Sequence, residues 1–152
     1  MNGVRIHENN ANKWINGRDF GTQKSGMGFN AEELAQFEDD KLDSPVRMHE
    51  IGDAKTLQLF ESIMQPNILA EIHSHATDEI MYVLKGSMVL GNRTLGPGSS
   101  VFFAADTLYS FRSGPDGLHF LNFRPTKDEV YRSREQHLAY VKQKKQAKEA
   151  AE

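Results

Sequence analysis

Cysteine is absent from the 152 residues. That one absence removes disulfide scaffolds, thiolate zinc sites, iron–sulfur clusters and cysteine nucleophiles together. It also fits a reducing compartment. Long hydrophobic runs are missing as well: no stretch approaches the roughly 18 apolar residues of a membrane span. The N-terminal MNGVRIHENNANKW has no apolar run behind a positive start, so no signal peptide is expected. Charge of one sign is lacking too. With 21 acidic against 18 basic residues the net charge is −3, which leaves no electrostatic footprint for nucleic acid. The expectation is a cytoplasmic protein with neither nucleic-acid nor membrane partners.

Bulk for one core is present. The length suits one domain and leaves no room for two. Nine Phe, four Tyr and one Trp argue against a disordered chain. No internal repeat is visible at periods of 20–50 residues.

Three segments differ in character. Residues 1–45 form a polar N-terminal extension rich in Gly and Asn. Within it Asn30-Ala-Glu-Glu33 fits a capping box, which predicts a short helix over about 31–40 with Leu34 and Phe37 as its buried stripe. Ser44-Pro45 ends the segment, because the residue before proline avoids the helical region. Residues 46–124 alternate short apolar runs with turn signals. The runs predict strands near 46–51, 56–64, 69–75, 79–85, 87–91, 99–103, 108–112 and 118–124. Turns are expected at Gly52-Asp53, Gln65-Pro66-Asn67, Gly86, Gly91-Asn92, Gly96-Pro97-Gly98 and Gly114-Pro115-Asp116-Gly117. Many short strands without an intervening helix mean an all-β barrel or sandwich. Residues 125–152 turn helical, with Val130, Leu138 and Val141 on one side, Tyr131 and Tyr140 nearby, and a lysine-rich end with little to bury.

The chemistry concentrates in Ala70-Glu-Ile-His73-Ser-His75-Ala-Thr-Asp-Glu79. Alternation along a strand puts His73 and His75 on one face, about 7 Å apart along the strand. A tight bend at residues 76–78 returns Glu79 to that face. Imidazole plus carboxylate is the ligand set of Fe(II), Mn(II), Zn(II) or Ni(II). Open positions on such an ion are of the catalytic rather than the structural type. A bare His-x-His is more often two half-buried histidines; here the spaced Glu79 and the apolar alternation of Ile72, Ile80, Tyr82 and Leu84 favour metal ligation.

His73, His75, Glu79 and Gly86, at this spacing, resemble the first motif of the cupin superfamily. The family's glycine six residues before the first histidine is Asn67 here. The second family motif starts at Gly98, and in register its Pro falls on Ala104, its Gly on Asp106, its His on Tyr109 and its Asn on Ser113. The resemblance covers about residues 46–124. It implies a double-stranded β-helix, a small jelly-roll barrel, with a metal inside its mouth, to which the residue pattern adds short helices at both termini. The fourth ligand of the family is normally the histidine that Tyr109 replaces. Tyr109 then ligates as phenolate, donates a hydrogen bond to bound water or substrate, or merely lines the barrel. His119 is the rival fourth ligand.

Glu71 shares the parity of His73, Met81 and Val83 share that of Glu79, and Phe103 and Phe111 share that of Tyr109. Glu71, Met81, Phe103 and Phe111 are therefore expected to shape a substrate pocket. Arg112 and Arg124 are read as surface charges ahead of carboxylate clamps, and Asp106 as a turn aspartate ahead of an acid or base. The leading functional expectation is a metal-dependent enzyme acting on a small organic molecule, of the dioxygenase, isomerase or lyase type. The alternative is a non-catalytic binding or sensing barrel; a storage or structural role is a third. The residues facing away from the metal, together with the resemblance, imply a homodimer.

Overall fold

The computed structural model of the chain describes residues 3–9, 14–17 and 44–151. The helix expected over 31–40 lies outside them. Among the described residues eight strands and one helix follow in order: β1 (Val46–Glu50), β2 (Gln58–Met64), β3 (Leu69–His75), β4 (Glu79–Leu90), β5 (Arg93–Leu95), β6 (Ser100–Phe103), β7 (Tyr109–Arg124), β8 (Tyr131–Ser133) and α1 (Arg134–Glu149). Every strand pairing is antiparallel.

The long β7 organises the barrel. Its first half pairs with β3 and its second half with β2, while β4 runs along both halves on the other side. β1 extends the sheet beyond β2, β8 extends it beyond β3, and β5 and β6 pair with β4. Inward residues of these strands make the core: Met64, Met81, Val83, Met88, Phe103, Tyr109, Phe111, Leu118 and Phe120. The alternation of β4 is clean, with Glu79, Met81 and Val83 buried between exposed Ile80 and Tyr82.

Two expected turns are absent. Segments 79–85 and 87–91 are one strand, and so are 108–112 and 118–124. Gly86 and the 114–117 segment mark a close crossing instead. The β4–β7 register shifts on either side of Gly86. A Cβ at Gly86 would overlap the Gly117 carbonyl oxygen, and one at Gly117 would lie 2.7 Å from the Met64 carbonyl oxygen. Both glycines have positive φ. They are there because three backbones meet, which only a residue without Cβ permits. Asn67, at the register of the family's glycine, has φ 62° and makes the turn between β2 and β3.

The extra residues in β7 reverse its parity. Tyr109, Phe111 and Ser113 are buried in the first half, and Leu118, Phe120, Asn122 and Arg124 in the second. Counting by twos from Tyr109 gives the wrong face beyond residue 117.

The C-terminal segment contributes a strand as well as a helix. β8 pairs with β3 beside the two histidines. Ser133 then caps α1 in a full capping box with Gln136. The helix does not bury Leu138 or Val141, which are exposed. It buries His137, whose Nδ1 lies 2.8 Å from Ser74 Oγ. It also packs Tyr140 against the Arg132 guanidinium at 3.9 Å. Polar and cation–π contacts, rather than an apolar stripe, dock this helix. No described helix is long and apolar enough to cross a membrane.

Gly86→Ala is expected to destabilise the barrel by about 2–4 kcal/mol, since strain at positive φ adds to a backbone overlap. Gly91, also at positive φ but with nothing within 4 Å, should cost only about 1 kcal/mol as Ala. Urea denaturation of both variants checks this; equal losses would contradict the crossing as the reason for Gly86.

Candidate functional site

β3 carries two imidazoles to one end of the barrel interior. His73 pairs with Tyr109 of β7 on one side and Ser133 of β8 on the other, and His75 pairs with Tyr131 of β8. The two rings are nearly perpendicular, with centroids 5.0 Å apart. The bend at 76–78 is pinned to the 104–107 loop: Asp78 Oδ1 accepts from the Ala105 N–H at 2.8 Å, and the His75 carbonyl accepts from the Asp106 N–H at 2.8 Å. Glu79 therefore opens β4 facing the same interior, 1% exposed.

Both imidazoles have one nitrogen committed. His73 Nδ1 lies 2.6 Å from the Glu71 carbonyl oxygen. His75 Nδ1 lies 2.9 Å from the Val130 carbonyl oxygen and 2.9 Å from Asp128 Oδ2. With the ring proton on Nδ1 in each, the Nε2 lone pairs turn inward. Burial, then the neighbouring His75, hold His73 down at about 4, so it is neutral at pH 7. The Tyr131 ring stacks on His73 at 4.7 Å.

Tyr109 joins His73 to Glu79. Its hydroxyl lies 3.0 Å from His73 Nε2 and donates to Glu79 Oε1. One phenolic proton faces two acceptors, so lone pairs are in surplus on the His73 side. Burial, then the Glu79 charge, lift the phenol well above its ordinary value. Tyr109 is a protonated donor here, stacked on Phe103 at 3.8 Å.

Glu79 Oε2 is the second hub. It accepts from Asn122 Nδ2 at 2.8 Å and from Arg124 Nε and Nη2 at 3.1 Å each. Burial pushes this carboxyl up, but the Arg124 charge, the adjacent His75 and the Tyr109 and Asn122 hydrogen bonds outweigh it and hold Glu79 below the usual carboxylate range. Arg124 Nη2 also reaches His75 Nε2 at 3.2 Å, and Nη1 donates to Gln58 Oε1 at 3.2 Å. The guanidinium is 5.4 Å from the Phe60 ring centre and the residue is 2% exposed.

The donor chemistry fits a divalent transition ion. Two inward Nε2 lone pairs with anchored Nδ1 groups stand beside an ionised carboxylate. The buried Asn122 Oδ1 accepts no hydrogen bond among the described residues. The side chains as placed do not surround one centre: among the described residues no three His, Asp or Glu side chains are arranged to hold an ion. The Arg124 guanidinium bridges His75 and Glu79.

The structure thus gathers His73, His75, Glu79 and Tyr109 at one end of the interior. Met81, Phe103 and Phe111 are packed in the apolar core behind them, and Glu71 is exposed at the rim. An open cavity of about 180 Å³ lies on the outer face at the start of β4, lined by Asp78, Glu79, Ile80, Phe102, Phe123 and Pro125, and its lining includes none of His73, His75 and Tyr109. His119 is not brought to the site. The parity reversal in β7 puts it on the outer face, where Nε2 meets Glu61; Arg47 and His49 share that carboxylate. The same reversal corrects the surface reading of Arg124, whereas Arg112 is exposed as expected. Asp106 is a turn residue with φ 60°. It accepts from Arg132 at 3.0 Å and Tyr140 at 3.1 Å, tying the loop to α1. Sequence reasoning missed Gln58, Asn122, Asp128 and Tyr131. A carboxylate next to a short β-prone run after the barrel was the only sign of the last two.

Tyr109→Phe is expected to lower stability by about 1–3 kcal/mol, because Glu79 Oε1 loses its donor in a buried setting. Chemical denaturation checks this; a neutral substitution would mean the hydroxyl is not the carboxylate's partner.

Neither a protein-family model nor a curated protein sequence matches the chain. Solved structures do. An RmlC-like cupin protein from Ralstonia eutropha JMP134 superposes with a TM-score of 0.64 at 14% identity, over 88% of this chain and 75% of that one. The DMSP lyase DddQ from Ruegeria pomeroyi DSS-3 gives 0.55 at 19% identity, over 66% of this chain and 57% of that one. A deletion mutant of Bacillus subtilis oxalate decarboxylase gives 0.51 at 17% identity, over 60% of this chain and 28% of that one; Mn(II) centres are described in that decarboxylase. With the antiparallel barrel and its histidine-bearing strand, these likenesses identify the chain's architecture as the cupin fold.

Proposed function

We propose that this barrel is a metal-dependent enzyme acting on a small organic molecule, with one divalent ion (Fe, Mn, Zn or Ni) on His73 Nε2, His75 Nε2 and the Glu79 carboxylate. The observation that carries this reading is the commitment of both Nδ1 groups to backbone or carboxylate acceptors, which leaves two Nε2 lone pairs and an anionic carboxylate for a cation. A bound ion would polarise a carbonyl or carboxylate of the substrate and, if iron or manganese, exchange electrons with it.

The chain's own residues do the rest. Asp128 and the Val130 carbonyl fix the tautomer of His75. Tyr109 orients Glu79 and holds a proton on its hydroxyl beside the inward nitrogen of His73, placed to be lent to a developing negative charge. Tyr131 and Phe103 cover His73 and Tyr109 and limit water. A lyase and a decarboxylase share the fold, which does not by itself choose among dioxygenase, isomerase and lyase chemistry. Two observations favour a second reading, a non-catalytic small-molecule binder: a tyrosine stands in the fourth-ligand register, and Arg124 already neutralises Glu79.

We further read the protein as a cytoplasmic homodimer. Ile80, Tyr82, Phe102 and Phe123 form an exposed apolar patch on the outer face of β4, β6 and β7, with Phe102 60% exposed. Light scattering at micromolar concentration should give twice the chain mass, and Phe102→Asp should shift it toward the monomer. A monomeric wild-type protein contradicts this part of the reading.

The metal site is tested by elemental analysis of protein loaded with each ion in turn. Wild type should retain about one ion per chain. His73→Ala combined with His75→Ala should lose most of it while circular dichroism stays that of the folded barrel. Unchanged stoichiometry in the double variant would overturn the assignment. Turnover of small organic acids in air and under nitrogen then separates oxygenase from lyase or isomerase, and no turnover with tight ligand binding favours the binder.

A further inference from the structure

We propose that Arg124 is an internal cation that competes with the metal for Glu79 and His75, so that this one side chain sets how readily the barrel takes up its ion. The inference rests on the metal reading of His73, His75 and Glu79 given above and adds a control to that site.

Three observations carry it. First, the guanidinium already holds the atoms an ion needs. Nη2 lies 3.1 Å from Glu79 Oε2 and 3.2 Å from His75 Nε2, and Nε adds a second hydrogen bond to Oε2 at 3.1 Å. Two of the three ligand groups are thus donated to by a cation that is part of the chain. Second, the pair is closed off from water: Arg124 is 2% and Glu79 1% exposed. A carboxylate that buried requires a positive partner. Arg124 supplies it, so the barrel folds with its carboxylate neutralised before any ion arrives. Third, the remaining ligand is left out of the arrangement. His73 Nε2 faces the Tyr109 hydroxyl, whose proton goes to Glu79 Oε1. The hydrogen bonds that Arg124 donates go to Glu79, His75 and Gln58, and none of them reaches His73.

An ion that binds all three groups must therefore push the guanidinium off two of them. Arginine suits this exchange. Its charge is permanent and its fork matches a carboxylate edge, yet its stem is long and it sits on the last residue of β7, next to Pro125 and the end of the strand. The fraction of molecules with Arg124 withdrawn sets the apparent affinity: if that fraction is about one in ten, the ion binds about tenfold more weakly than to an open site.

The test is a Zn(II) titration by calorimetry of wild type, Arg124→Gln, and Arg124→Gln combined with His73→Ala. Arg124→Gln should bind Zn(II) at least about tenfold more tightly than wild type, and the added His73→Ala should abolish the gain. Thermal melting should show the metal-free Arg124→Gln protein less stable than wild type and raised further by Zn(II) than wild type is. If Arg124→Gln binds equally or more weakly, while wild type binds one ion that His73→Ala removes, the competition is overturned and the metal site stands. If neither protein binds Zn(II), both readings fall. Should Arg124→Gln not fold, the wild-type protein gives the answer directly. In nitrogen-edited NMR the Arg124 Nε–H, protected by its bond to Glu79, should lose its protection and shift at saturating Zn(II). An unchanged Nε–H resonance at saturation overturns the proposal.

Discussion

The interior of this barrel is organised around one buried ion pair, Glu79 with Arg124. Leaving either partner alone in that setting costs about 3–5 kcal/mol, so the groups around them are arranged to satisfy both. Asn122 and Tyr109 donate to the carboxylate, Gln58 accepts from the guanidinium, and His75 accepts from its far nitrogen. They come from three strands: Asn122 and Tyr109 from β7, Gln58 from β2 and His75 from β3. The pair thus ties β2, β3, β4 and β7 at one end of the barrel, while Met88, Leu118, Phe120 and their neighbours fill the other end with apolar packing. The same groups that stabilise the pair are the ones that give this end of the interior its chemistry.

The polar end is sealed by chain that lies outside the run of barrel strands. Asp128, Val130 and Tyr131 follow β7, and all three meet the histidines: two at His75 Nδ1, one on the face of His73. Ser74, between the histidines, faces the other way and is held by His137 of α1. Asp106 holds the same unit from the loop before Tyr109. The C-terminal strand and helix are therefore part of the site's scaffold. Their docking relies on polar contacts, so the apolar side formed in the sequence by Val130, Leu138 and Val141 does not announce it; Leu138 and Val141 are exposed.

What could be read from the sequence follows from local rules, and what could not follows from their failure at one place. The strands of 46–75 were legible from period and turn residues. So was the common face of His73, His75 and Glu79, because nothing interrupts alternation between them except one short bend. The glycines at 86 and 117 carry a second meaning. In the sequence they signal turns; in the fold they sit where three backbones cross, and the extra residues of the 114–117 segment reverse the parity of β7. That single shift sends Arg124 inward and His119 outward, opposite to the count from Tyr109. It also explains why Gln58 and Asn122 escaped notice, since their role appears only once Arg124 is known to be buried. The first motif and the register of the second were enough to identify the fold; the replacement of the second-motif histidine by Tyr109 pointed to a changed fourth position, but not to a phenol that spends its proton on Glu79.

The account's central claim is that His73, His75 and Glu79 hold an ion in competition with Arg124. A pair of crystal structures, grown with and without Zn(II) and read by anomalous scattering at the zinc edge, tests it most directly. The account predicts an anomalous peak within about 2.0–2.2 Å of both Nε2 atoms and of a Glu79 oxygen, with the guanidinium withdrawn from that oxygen, and Arg124 bridging His75 and Glu79 in the zinc-free crystal. A peak elsewhere, or no peak with Arg124 unmoved on Glu79, would contradict it.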